Sequence, residues 1–104
     1  MKIAILWTER ARRDLFEIGD FIARDKPVAA SKLVGEILDA VGRTALFPTS
    51  GRIVPEFGRS DLREVILGNY RVVYRLDEST IVVLTVFESH SRIDESLAEH
   101  ANST

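Results

Sequence analysis

Apolar residues recur along this chain with two different periods, first helical and then alternating. From Ala11 onward they return at Leu15, Ile18 and Ile22, while Arg12, Arg13, Asp14, Glu17 and Asp20 fall on other faces. That spacing predicts an amphipathic helix ending near Asp25. Thr8 stands at its N-cap position and Glu9 in its first turn, where a carboxylate suits the helix dipole. Ala11 occupies the place where a capping box needs a glutamate, so the cap is partial. Asp25-Lys26-Pro27 then breaks the helix and starts another, because proline fits a first helical turn. Ala30, Leu33, Val34, Ile37, Leu38, Val41 and Ala45 keep the helical rhythm until Pro48 ends it. So short a connection folds the two helices into an antiparallel hairpin. Gly35 and Gly42 flank the apolar stripe at a cost of about 1 kcal/mol each relative to alanine, and the close approach of another helix is a candidate reason.

Strand patterns surround the hairpin. Residues 2–7, rich in Ile and Leu and closed by Trp7, read as a first strand. Gly51 to Pro55 reads as a short edge segment, and Glu56 to Leu62 as a loop. Arg63 to Leu67 reads as a strand, with Gly68-Asn69 as a tight turn. Tyr70, Val72, Tyr74 and Leu76 then alternate with Arg71, Val73 and Arg75. Thr80 to Phe87 is apolar on both faces, as a covered central strand is. Residues 93–104 are expected to form a short helix or a frayed tail. The fold class is therefore α+β: an N-terminal strand, an antiparallel two-helix hairpin, then a three- to four-stranded antiparallel sheet. At 104 residues, one domain over residues 1–104 is expected.

Composition narrows the chemistry. There is no cysteine, which removes disulfides and thiolate metal sites. His90 and His100 alone make no zinc site, so neither metal nor cofactor is expected. The N-terminal apolar run is too short for a signal peptide, and no stretch approaches the roughly 20 residues that span a bilayer. A cytoplasmic location follows as the expectation. The net charge of −2 conceals an asymmetry: residues 43–75 hold six arginines against Glu56, Asp61 and Glu64, while residues 76–104 hold Arg92 against six acids. A basic middle points to an acidic or polyanionic partner. Arginines outnumber lysines eleven to three, favouring bidentate contacts.

Several fragments resemble, in order and spacing, toxins of the RelE/ParE superfamily. They are Trp7-Thr8 with Ala11 and Asp14-Leu15, Asp25-Lys26-Pro27 with Ala30, Phe47-Pro48 with Gly51-Arg52, Val54-Pro55-Glu56, Leu62-Arg63-Glu64 and Tyr70-Arg71-Val72-Val73-Tyr74-Arg75. The resemblance covers about residues 3 to 92. It implies the toxin half of a bacterial type II toxin–antitoxin module, silenced by an antitoxin whose flexible C-terminal segment wraps the toxin. RelE-like members cleave mRNA on the ribosome, whereas ParE-like members inhibit DNA gyrase.

The nuclease reading places Glu56, Arg71, His90 and Arg92 in an RNA-cleaving site, which needs a base, phosphate-steadying cations and an acid. Against it, no tyrosine follows Phe87, and Val65 stands where the nuclease pattern has an arginine. The residues therefore favour the ParE-like, non-catalytic branch. A gyrase target would meet arginines among Arg52, Arg59, Arg63, Arg71, Arg75 and Arg92. A plain interaction module whose toxin activity has been lost is a third reading. An antitoxin, ParD-like or similar, is expected to lay an amphipathic segment into a groove of the helix hairpin at or near Leu15, Ile18, Ile22, Leu33 and Ile37.

Overall fold

The computed structural model describes residues 3–102. Strand β1 (Ala4–Trp7) leads into helices α1 (Glu9–Ala23) and α2 (Pro27–Leu46). Four strands follow, β2 (Arg52–Ile53), β3 (Leu62–Leu67), β4 (Tyr70–Leu76) and β5 (Thr80–Glu88), and then a short helix α3 (Leu97–Asn102). The strand expected from residue 2 begins at Ala4, and Lys2 lies outside the described residues.

The strands form one five-stranded sheet in the order β1-β5-β4-β3-β2. The later four strands make the expected antiparallel meander. The expected N-terminal strand β1 joins it in parallel beside β5, so the sheet is mixed. Parallel pairing requires a long crossover, which the intervening hairpin and meander supply.

Both sheet faces are covered. On one, Val72, Val83 and Val86 pack against Ala11, Ile37 and Val41 of the helices. On the other, Val73, Val82 and Leu84 meet Val54, Leu62, Ile93 and Leu97. This two-sided burial explains why β5 carries apolar residues on both faces. The register of β4 with β5 slips between Val73 and Tyr74, where Leu84 is passed over as an extra residue. Side chains of α1 and its N-cap hold that bulge. The Asp14 carboxylate accepts hydrogen bonds from Val86 N–H (3.1 Å) and Thr85 Oγ1 (2.5 Å). Thr8 accepts from Ala11 N–H as the N-cap (3.1 Å) and donates its hydroxyl to the Val83 carbonyl (2.9 Å). The Thr8 and Asp14 spacing thus serves both the helix start and the sheet.

The hairpin's close approach falls at Gly19, where a Cβ would lie 3.1 Å from Val34 Cγ2; Gly35 and Gly42 face open space. Among the described residues no helix is long and apolar enough to cross a membrane.

Candidate functional site

Two features stand apart from ordinary core: a closed cluster of charges on the sheet and an open apolar groove at the opposite, β1 edge. The cluster centres on Arg71. Its guanidinium donates two parallel hydrogen bonds of 2.8 Å to Glu56 and, through Nε, one of 2.6 Å to Glu64. Arg52 Nε donates to the other Glu64 oxygen at 2.5 Å. Phe87 lies beneath Arg71, with the guanidinium carbon 5.1 Å from the ring centre.

The elements explain the meeting. Glu64 and Arg71 project from neighbouring strands β3 and β4 onto the same face, because Ile66 opposes Arg71 and Glu64 opposes Val73 in register. Arg52 opposes Glu64 across the β2–β3 pair. Glu56 arrives from the turn after β2, which Val54 anchors by complete burial. The Glu64 side chain is wholly buried and that of Arg71 is only 8% exposed, so each requires its partners. The Arg71 hydrogen bonds hold the Glu56 carboxyl far below its ordinary range, at about 2, against an opposing push from desolvation. The same contacts raise the Arg71 pKa further, with Glu56 the larger contributor. Two arginines and two glutamates leave the cluster without net charge.

The other candidate arginines are also engaged. Arg59 grips Asp61 through two hydrogen bonds of 3.0 and 2.7 Å and donates to the Ala98 carbonyl. Arg63 donates to the carbonyls of Ser60 and Gly51. Arg75 is buried and meets Asp77 at 3.0 Å. Arg92 and His90 are exposed after β5, and among the described residues His90 has no hydrogen-bonded or ionic partner. Of the four residues of the nuclease reading, the structure joins Glu56 and Arg71 and leaves His90 and Arg92 outside their cluster. Glu64, the buried hub of that cluster, was not among the candidates read from the sequence. Its legible signal was the hairpin itself: a two-residue turn at Gly68-Asn69 sets Leu67 opposite Tyr70, and so places Glu64 and Arg71 on one face of the sheet.

Tyr74 is buried and donates its hydroxyl to the Pro48 carbonyl at 2.8 Å. Gly51 permits this closeness, since a Cβ there would lie 2.8 Å from the Glu64 carbonyl oxygen and nearer still to the tyrosine hydroxyl.

The groove runs between α1, α2 and β1, with a volume of about 1110 Å³. Its wall includes Leu6, Trp7, Leu15, Phe16, Val34 and Leu38, with Arg12 and Asp20 beside them. Leu6 (57%), Phe16 (72%) and Leu38 (47%) are exposed to degrees unusual for neighbouring large apolar side chains. Of the five antitoxin candidates, Leu15 lines the groove, whereas Ile37 is completely buried. Ile18 and Leu33 pack against the same core cluster, and Ile22 is half-buried away from the groove lining. The helical period identified the apolar stripe but not how its width is shared. Its centre serves the sheet, and its margin, Val34 and Leu38, faces the groove.

Comparison with known proteins agrees with this architecture. A family model described as the ParE toxin of the type II toxin–antitoxin system parDE matches residues 5–93. The Sinorhizobium fredii protein named "Putative toxin Y4kP" is 40% identical over 91 residues, covering 85% of this chain and 90% of that protein. A structure of the chromosomal ParDE system from P. aeruginosa superposes with a TM-score of 0.70 at 22% identity, covering 84% of this chain and 96% of that one. The RelBE2 toxin–antitoxin complex of Mycobacterium tuberculosis gives a TM-score of 0.61 at 22% identity, over 85% of this chain and 99% of that one. These two share the fold. The chain belongs to the ParE toxin family of type II toxin–antitoxin systems, within the RelE/ParE superfamily.

Proposed function

We propose that this toxin acts by binding DNA gyrase and stalling it, without performing chemistry itself, and that a cognate antitoxin silences it through the α1–α2–β1 groove. The observation that carries the non-catalytic reading is the closure of the charge cluster. A ribonuclease needs a base and phosphate-binding cations free to meet RNA. Here Glu56 and Arg71 are consumed by each other and by Glu64, and a carboxylate held at about 2 is a feeble proton acceptor at neutral pH. Membership of the ParE family supports the same choice.

The groove supports the antitoxin half. It is apolar, open and bounded by two helices, the form that accepts an amphipathic helix through residues spaced at i, i+3, i+4 and i+7. Arg12 and Asp20 offer polar contacts that would fix its direction. The structures of ParDE and RelBE2 are of toxin–antitoxin systems, which is consistent with such a partner here.

A DNA supercoiling assay with purified gyrase tests the target. Inhibition by micromolar toxin, reversed by the protein encoded beside it, is the expected result. Ribosome-dependent mRNA cleavage without any effect on gyrase would replace this reading with the nuclease one.

A further inference from the structure

The sheet has a second open edge, opposite β1, and its chemistry differs from that of the groove. Strand β2 pairs only with Arg63 and Glu64, although β3 continues to Leu67. The β2–β3 ladder and the bond from Val54 N–H to the Leu62 carbonyl show which backbone groups point outward: those of residues 62 and 64. By the alternation of antiparallel strands, the N–H and carbonyl of Ile66 point the same way. Beyond Arg52 the chain turns aside, with Ser50 N–H bonded to the Phe47 carbonyl, so no strand reaches Ile66 among the described residues. A cleft of about 280 Å³ lies there, lined by Arg43, Arg52, Glu64, Val65 and Ile66 among others.

The surroundings select the kind of occupant. Ile53 on β2 and Ile66 on β3 are both large, apolar and exposed. Arg43 is exposed on α2 and, among the described residues, has no carboxylate within salt-bridge distance. Arg52 keeps 57% of its side chain exposed while bonded to Glu64. Glu64 is the cleft's one carboxylate, and it is wholly buried between two arginines. Arg43 thus adds a positive charge beside the half-exposed, Glu64-paired guanidinium of Arg52, and the unpaired backbone edge suits an extended chain.

We infer that the β3 edge at Val65–Leu67 accepts a short extended segment of a partner protein, acidic and apolar in alternation, as an added strand. The available edge is three residues, about 10 Å at the usual strand rise. The partner's backbone bonds to Ile66, its carboxylates meet Arg43 and Arg52, and its apolar residues cover Ile66 and its neighbours. Because β1 and β2 occupy opposite edges of the sheet, this surface stays open when the helix groove is filled, and it does not depend on the groove's occupant.

The test uses the full chain, labelled with ¹⁵N, and two blocked five-residue peptides, one alternating valine with glutamate and one alternating valine with lysine. The glutamate peptide is expected to bind saturably, to slow hydrogen exchange at the Ile66 amide, and to lose roughly tenfold in affinity with Arg43→Glu. Ile66→Pro should abolish binding, since it removes an outward N–H that no strand of the fold uses. Arg43→Glu lies on an exposed helix face, so it keeps the test decisive should the proline variant fail to fold. No binding of the glutamate peptide, equal binding of the lysine peptide, binding indifferent to Arg43→Glu, or an unprotected Ile66 amide would overturn the inference.

Discussion

Arg71 and Glu56 meet through two parallel hydrogen bonds of 2.8 Å, which tie the turn after β2 to the start of β4. Glu64 holds the same guanidinium from β3, so a single side chain joins two strands and a turn. Removing it would leave Glu64 buried with Arg52 as its remaining partner. Breaking a buried pair from one side costs about 3–5 kcal/mol. Arg71→Ala should lower unfolding stability by an amount of that order in urea titration, and Arg71→Lys should restore only part of it, because an ammonium cannot make the two-pronged contact.

Acid should act on the same contact. The Glu56 pKa falls from 4.5 to about 2 in the folded chain, chiefly through its hydrogen bonds to Arg71. A carboxyl depressed on folding contributes stability that is full above its unfolded pKa and is lost as pH falls through the folded one. Asp94, held at about 2 by Arg10 and Ser96, acts in the same direction. Urea midpoints should therefore be flat above about pH 5.5 and decline as pH falls from 4.5 towards 2. Glu56→Gln should flatten part of that decline, and a variant curve parallel to the wild type would contradict the assignment.

Asp14 links the helix hairpin to the β5 bulge by accepting from Val86 N–H and the Thr85 hydroxyl. Asp14→Ala leaves both donors without an acceptor where Thr85 is buried. A loss of about 1–3 kcal/mol is expected. Hydrogen exchange at the Val86 amide should accelerate more than exchange elsewhere in β5.

The groove makes a prediction that separates binding from folding. Phe16 and Leu38 are exposed, so Phe16→Asp and Leu38→Glu should leave the thermal midpoint nearly unchanged. Each should weaken the antitoxin complex by about 2 kcal/mol or more, read by calorimetry, if its side chain anchors the partner. Ile37→Glu, which places a charge in the core, should instead unfold the protein.

Much of this architecture was legible in the chain, and the reasons differ from element to element. Both helices followed from the apolar period and from Thr8 and Pro27, local signals that packing reinforced. The meander followed from alternation and from Gly68-Asn69, where Gly68 indeed takes a positive φ of 58°. The parallel pairing of β1 was not legible, because nothing within residues 4–7 encodes a partner about 75 residues away. The charge cluster was legible only in part: the Gly68-Asn69 turn puts Glu64 and Arg71 on one face, whereas nothing local brings Arg52 and Glu56 to them. Arg52, Glu56, Glu64 and Arg71 are scattered over twenty residues, and only strand register brings their side chains together. Arginines that composition suggested for an external partner are largely spent on internal carboxylates, and charge counts alone do not distinguish those uses.

The central claim is that Glu56 and Arg71 brace the sheet while the toxin stops gyrase by contact. Supercoiling inhibition by the Glu56→Gln, His90→Ala double variant tests it most directly, at a temperature where circular dichroism shows the variant folded. Inhibition equal to that of the wild type is the predicted result. Loss of toxicity in this folded variant, together with wild-type cleavage of ribosome-bound mRNA that the variant cannot perform, would contradict it.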